Sequence, residues 1–390
     1  MVKKMLCSAA LLAALMLLFA GLASAQGQFV YTNDDIPFAP NTVSGFSVAS
    51  SGALTLVPGS PFLTGGMGAG GGLFASNRTR AGIVGNCLFA SNTFTNDVSA
   101  FTIDTTTGAL TLVGSPVPTG GFSDGAGISV APTPNGMFLM AANSFSMTVY
   151  PIGTGCALGA PIAGSPFPLL SFIPDGTKVS PNGSFVAVAE PDLNQIEMLS
   201  IASDGSLTSI GGFPGGGGNN LAGVDINCAG DLLYGGEANG VGTIVDGYSI
   251  ASNGDLTPVA GSPFVLPGVG RNSNVVLLGA KPGSKPVKTS KILYVSNQVS
   301  NTITVFSVSS KGALSLVKGS PFPISSTFLP SGMDTSPDGS LLYVANSFNA
   351  VNVFSVSSKG VPTEVAGSPF PTGQSGFLQS LAGFPSRACK

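Results

Sequence analysis

Leu341-Leu342-Tyr343-Val344-Ala345-Asn346, then Val351-Asn352-Val353-Phe354-Ser355-Val356, then Lys359-Gly360, then Gly367-Ser368-Pro369-Phe370 is the clearest copy of a unit that recurs along this chain. Each copy has a hydrophobic strand ending in Asn or Glu, a second strand, a Gly-containing turn and a Gly-Ser-Pro-Phe-like stop. Aligned on the Ser of Gly-Ser-Pro, the copies fall at Ser60, Ser115, Ser165, Ser262, Ser320 and Ser368, with Gly212-Phe213-Pro214 in the place of the missing member. The spacings of 55, 50, 47, 50, 58 and 48 residues suit a unit of about 40–50 residues, which cannot bury both faces of its sheet alone. The sequence therefore predicts an all-β, seven-bladed β-propeller of four-stranded antiparallel blades.

Within a unit the order reads strand A, turn, strand B, loop, strand C, turn, strand D. Ser336-Pro337-Asp338-Gly339, Ser180-Pro181-Asn182-Gly183 and Thr133-Pro134-Asn135-Gly136 are A-to-B turns. In them Pro presets φ, Asn or Asp bonds its own backbone, and Gly takes the left-handed position. Strand C alternates as a half-buried strand does, as in Thr302-Ile303-Thr304-Val305-Phe306-Ser307-Val308. Before the first strand B, Phe29–Asn33, almost no chain remains for a strand A. The stretch from Gly376 to Pro385 has the pattern of a strand A with no B after it. It is expected to join Phe29–Asn33 and close the ring, which also removes open sheet edges.

Lys3 and Lys4, an apolar run from Met5 to Leu22 and Ala23-Ser24-Ala25 form a secretory signal, with residues 1–25 removed and 26–390 forming one propeller domain. An uncleaved anchor is the rival reading, disfavoured by the small-residue exit; no later stretch is long and apolar enough to span a bilayer. The mature chain carries 13 basic and 18 acidic residues, a net charge of −5. That balance argues against nucleic acid as a partner, and the one local basic cluster, Lys281, Lys285, Lys288 and Lys291, reads as a solvated loop. The run Gly215–Gly218 lacks the strand-to-helix setting and Lys-Ser partner of a phosphate loop and reads as a flexible D-to-A loop.

Cys87, Cys156, Cys228 and Cys389 remain after cleavage, and an oxidising compartment permits disulfides. The repeat map puts Cys87 and Cys389 at the same end of neighbouring blades, which suggests a Cys87–Cys389 bond with Cys156 and Cys228 free and buried. Four unpaired cysteines are the rival reading.

The Leu-Tyr-Val-Ala-Asn strand, the Ser-Pro-Asp-Gly turn and the Gly-Ala-Leu after the C-to-D turn resemble the lactonase-like seven-bladed propellers, among them the propeller 6-phosphogluconolactonases, and the related YVTN-type repeat proteins. The resemblance covers Phe29 to about Pro385, and its motifs are blade-building ones. It implies the fold and, less directly, lactone hydrolysis. Those enzymes are discussed in terms of clefts with His, Arg and Glu, and this chain contains no His. Ser-His-Asp and Cys-His catalysis and His-based metal sites are thereby excluded.

The strand-B ends read Asn33, Asn92, Asn143, Glu190, Glu237, Asn297 and Asn346 around the ring. Equivalent positions in a propeller lie at equivalent radii, so these seven are expected to form a polar girdle near one mouth. Its default role is strand ending; its functional role is ligand binding by the five Asn. The two Glu, in adjacent blades, are candidates for a general base or, with Asn oxygens, for binding Ca²⁺; no other cofactor and no dedicated metal site is expected. Arg78, Arg80 and Arg271 sit near the same mouth, where Arg271 is the candidate for steadying an anion. Asp34 and Asp35 face it too and are read as solvated. The residues after Ser-Pro, Phe62, Val117, Phe167, Phe264, Phe322 and Phe370, read as plugs between blades.

Two functions follow. The first is a secreted or periplasmic, monomeric binding module for a small molecule or an extracellular macromolecule. The alternative is a lactone hydrolase using Glu190, Glu237 and Arg271, with or without a divalent cation; whether the chain is an enzyme stays open at this stage.

Overall fold

A computed structural model describes residues 27–70, 81–121, 128–217, 220–237, 242–267, 272–278, 291–325, 329–378, 380–387 and 389. The signal segment, Arg78, Arg80, Arg271, Lys281, Lys285 and Lys288 lie outside these residues. The chain forms seven antiparallel sheets, as the repeats predict. Their innermost strands A are Ser380–Phe384, Ala81–Val84, Ser129–Pro132, Thr177–Val179, Leu221–Ile226, Asn272–Leu278 and Pro330–Thr335, in blades one to seven. Each packs beside the next around the ring, and the last returns to the first.

Closure follows the expected route. Phe29–Asn33, strand B of blade one, pairs antiparallel with Ser380–Phe384, Phe29 opposite Phe384 and Asn33 opposite Ser380. No blade has a core of its own. The buried apolar side chains fall into clusters that each join two neighbouring blades, such as Tyr31 and Val43 with Leu88 and Phe101, or Tyr343 and Val353 with Val30 and Phe46. Phe62, Val117, Phe167, Phe264, Phe322 and Phe370 all pack against these inter-blade clusters. The recurrent Tyr of strand B adds a polar tie. Tyr31, Tyr234 and Tyr294 donate their hydroxyls to the carbonyls of Gly108, Gly312 and Gly360 in the next blade, at 2.8, 2.6 and 3.0 Å.

The Gly-Ser-Pro stop has a local cause. In blade one, strand D pauses between Leu54–Leu56 and Phe62–Met67, which leaves an amide of strand C without its ladder partner. The Ser fills that gap: Ser60, Ser165, Ser262, Ser320 and Ser368 accept from Gly45, Val149, Gly247, Val305 and Val353 N–H at 2.7–3.1 Å. The blade that lacks the Ser needs no such patch, because its strand D, Leu207–Pro214, runs unbroken past a bulge.

The cysteine reading requires correction. Cys87 bonds Cys156, and Cys228 bonds Cys389. Cys156 ends a short 3-10 turn in the C-to-D connection of blade three, at the same end of the ring as the A-to-B hairpin that leads into Cys87. The tail after Phe384 does not turn sideways toward blade two. It crosses the channel to Cys228, in the A-to-B turn of blade five, where Gly230 N–H bonds Asn227 O. Neither Cys156 nor Cys228 is free.

Candidate functional site

Strand A alone faces the axis, so the chemistry of the channel is set by its side chains. In the six blades whose strand-A side chains are described, the A residues opposite the strand-B Tyr or its equivalent form one layer: Ala382, Gly82, Ala131, Lys178, Asp225 and Asp334. Three charged residues thus share a level of an otherwise apolar wall. The crossing tail brings a fourth, Arg387.

Asp225 is the hub. Arg387 Nη2 bonds both of its carboxylate oxygens, at 3.2 and 3.0 Å, and Lys178 Nζ lies 2.9 Å from Oδ1. Asp225 is almost fully buried, while the Lys178 side chain keeps 39% exposure. Among the described residues Arg387 Nη1 is buried without a hydrogen-bond partner. Asp334 accepts from Thr335 N–H at 2.8 Å and Gly383 N–H at 2.9 Å. Burial pushes its carboxyl above the usual range, against the pull of those amides and of the Arg387 and Lys178 charges. These groups line a cavity of about 410 Å³ with Val130, Val179, Met333 and the A-to-B prolines Pro134 and Pro181. The prolines place its opening at the A-to-B end of the ring.

The strand-B girdle is built as a ring but is closed to solvent. Asn33, Asn92, Asn143, Glu190, Glu237, Asn297 and Asn346 are all buried. Asn33 donates to Ser91 O, Asn92 to Asp97 and Ser99, Asn143 to Thr119 and Asn297 to Thr304. Asn346 accepts from Phe348 N–H. Strand B is second from the axis, so its side chains meet strand C and the incoming loop of the neighbouring blade. Glu190 and Glu237 do the same, each against a second carboxyl, Glu197 and Asp246. Among the described residues no three Asp, Glu or Cys come close enough together to hold a metal ion.

Asp34 and Asp35 are buried, not solvated. Asp34 accepts the hydroxyls of Thr32, Thr42 and Ser44 at 2.6–2.8 Å, and burial raises its pKa to about 6. Asp35 ties the first B-to-C loop to Thr93 at 2.6 Å. The channel charges were legible in principle: Lys178, Asp225 and Asp334 each stand two residues before an A-to-B turn, in the strand a propeller keeps at its axis.

Residues 286–375, which run from strand B of blade six through blade seven, match the family described as Lactonase, 7-bladed beta-propeller. No curated protein matches the chain. Among solved structures, a Bacteroides fragilis protein described provisionally as a 6-phosphogluconolactonase aligns with a TM-score of 0.67 at 18% identity, covering 93% of this chain and 99% of its own. A similar protein from Bacteroides uniformis gives 0.68 at 16%, covering 92% and 99%. The periplasmic gluconolactonase of Pseudomonas aeruginosa gives 0.68 at 15%, covering 92% and 98%. At such identities the likeness carries the fold, a seven-bladed β-propeller, and the similarity to the lactonase family is confined to the matched 286–375.

Proposed function

We propose that the protein hydrolyses a lactone in its central channel. The observation that carries this reading is the meeting of Asp334, Lys178 and Arg387 on one cavity wall in a lactonase-like fold. A carboxyl that burial holds above its ordinary range suits a general base. Asp334 takes a proton from water as the water oxygen adds to the lactone carbonyl carbon. The oxyanion that forms lies toward the partly exposed Lys178 ammonium, with the Arg387 guanidinium adding positive charge behind it, groups of the kind that stabilise such charge. Collapse breaks the ring C–O bond, and the proton on Asp334 passes to the departing oxygen, giving the open hydroxy acid. Asp225 positions both cations. The fully buried Glu190 and Glu237 are left to hold loops, which moves the base from the girdle to the channel.

Two disulfides and the N-terminal signal pattern support an extracytoplasmic location, and a closed ring supports a monomer. The test is hydrolysis of a lactone panel at constant pH, with added Ca²⁺ and with chelator. Asp334→Asn is expected to lower the rate by about a hundredfold or more. Glu190→Gln should leave it near wild type at neutral pH. No turnover by folded wild type on the panel refutes the proposal and returns the binding module to first place.

A further inference from the structure

Blade three breaks the repeat at one place. The other six blades turn from strand C to strand D around Gly52, Gly108, Gly205, Gly254, Gly312 and Gly360, each at positive φ. Blade three instead runs through the short 3-10 turn Thr154–Cys156, and Cys156 is bonded to Cys87, the first residue of strand B in blade two. Blade two departs in step. Phe89 stands opposite Gly82, where Tyr31, Tyr234 and Tyr294 in their own blades donate to the turn glycine of the next. With no hydroxyl on Phe89, blade three has no glycine carbonyl to supply. Departures of this kind from a fold's own rule tend to mark function.

The consequence is an open cleft of about 390 Å³ between the A-to-B turns of blades two and three and the altered connection, bounded by Gly85, Gly136, Gly155, Ile152 and the Cys87–Cys156 bond. A Cβ on Gly85 or Gly155 would meet nothing within 4 Å. The inner border of the cleft, Val84 and Pro134, is also part of the wall of the channel cavity, so the channel mouth continues outward into it. Blades two and three line that side of the channel with Ile83, Val130 and Pro132, while the charged Lys178, Asp225 and Asp334 come from blades four, five and seven. We propose that the cleft is a subsite for a hydrocarbon substituent of the substrate, so that the protein takes lactones bearing an alkyl chain rather than a phosphate or a polyol. This rests on the reading of the channel as the hydrolytic site. None of the described residues that bound the cleft is charged, and Lys178 and Arg387 are both held by Asp225. A phosphate seated in the cleft would give up water without gaining a counter-charge. The polar side chains of the cleft are Asn86 and Asn135, and Asn135 already accepts the Thr133 hydroxyl and Met137 N–H of its own turn at 2.7 and 3.0 Å. Methylenes placed against Val84, Pro134 and Ile152 leave water at no such cost.

The test measures kcat/KM on δ-lactones whose side chain grows from methyl to heptyl, beside glucono-δ-lactone and its phosphate ester. Calorimetry of the matching alkyl lactams with wild type gives a second readout that needs no turnover. Both quantities should rise roughly threefold to fourfold per added methylene, the worth of one buried CH₂, and level off once the cleft is filled. Val84→Asp puts a charge on the shared border and should flatten both series, whereas Val84→Leu should keep the rise. Val84 is half-buried; should Val84→Asp not fold, Ile152→Asp on the far side of the cleft serves the same end. Flat series in wild type, higher kcat/KM on the phosphorylated lactone, or the same rise in the Asp variant overturns the proposal. The two readings separate cleanly. Lactam affinity that climbs with chain length in a protein that opens no lactone keeps the subsite and removes the hydrolysis. Lactone turnover indifferent to chain length keeps the hydrolysis and removes the subsite.

Discussion

Removing the bond between Cys228 and Cys389 should destabilise the protein more than removing the one between Cys87 and Cys156. A cross-link restricts the unfolded chain in proportion to the logarithm of the loop it closes, and the two loops are 161 and 69 residues long. Closure entropy then gives about 5 kcal/mol for the first bond and about 4 kcal/mol for the second. The double variants Cys228→Ser/Cys389→Ser and Cys87→Ser/Cys156→Ser, compared by urea denaturation, test both the size and the order. The first variant carries a second signature, because it leaves the crossing tail held at Arg387 by Asp225 without its terminal anchor. Trypsin should then cut after Arg387 far faster than in wild type. Peptide mapping that recovers Cys87 linked to Cys389, or variants as stable as wild type, would refute the pairing and the crossing tail with it.

Two further perturbations probe how the blades are held. Tyr234→Phe removes a 2.6 Å bond to Gly312 O and leaves that carbonyl unpaired, so the urea midpoint should drop by the equivalent of about 1–3 kcal/mol; an unchanged midpoint contradicts the inter-blade role of the tyrosines. Asp34 has a folded pKa raised from 3.8 to about 6, so the fold binds its proton more tightly than the unfolded chain does. Its contribution is present below about pH 4 and is lost as pH rises through about 6, by about 3 kcal/mol in all. The stability difference between wild type and Asp34→Asn should shift by that much between about pH 4 and about pH 7; a constant difference contradicts the buried, protonated carboxyl.

The blade count, the closing strand and the Phe plugs were legible because they rest on patterns that repeat: a position that recurs in a propeller recurs for the same packing reason. Glu190 and Glu237 were recognised as departures from Asn, yet their complete burial was not legible. Radial position is not evident from a strand's end alone, and the partners that explain them, Glu197 and Asp246, lie on strand C, where a single acid among hydroxyls is easily passed over. Lys178, Asp225 and Asp334 were missed for the opposite reason. Each is the single charge of its own strand A, and only the ring brings them to one level. Arg387 and the disulfides depend on a tail that follows no repeat, so nothing periodic could locate them. The Gly215–Gly218 run looked like simple slack, whereas Gly216 and Gly217 meet a carboxyl pair.

The most direct test of the channel as the reactive site is a crystal structure of the protein soaked with a lactam or other non-hydrolysable analogue of a lactone it turns over. The account predicts the analogue's carbonyl oxygen toward Lys178 and Arg387 and its carbonyl carbon within reach of a water held by Asp334. An analogue seated instead against the B-to-C turns, with the channel lining unchanged, would contradict it.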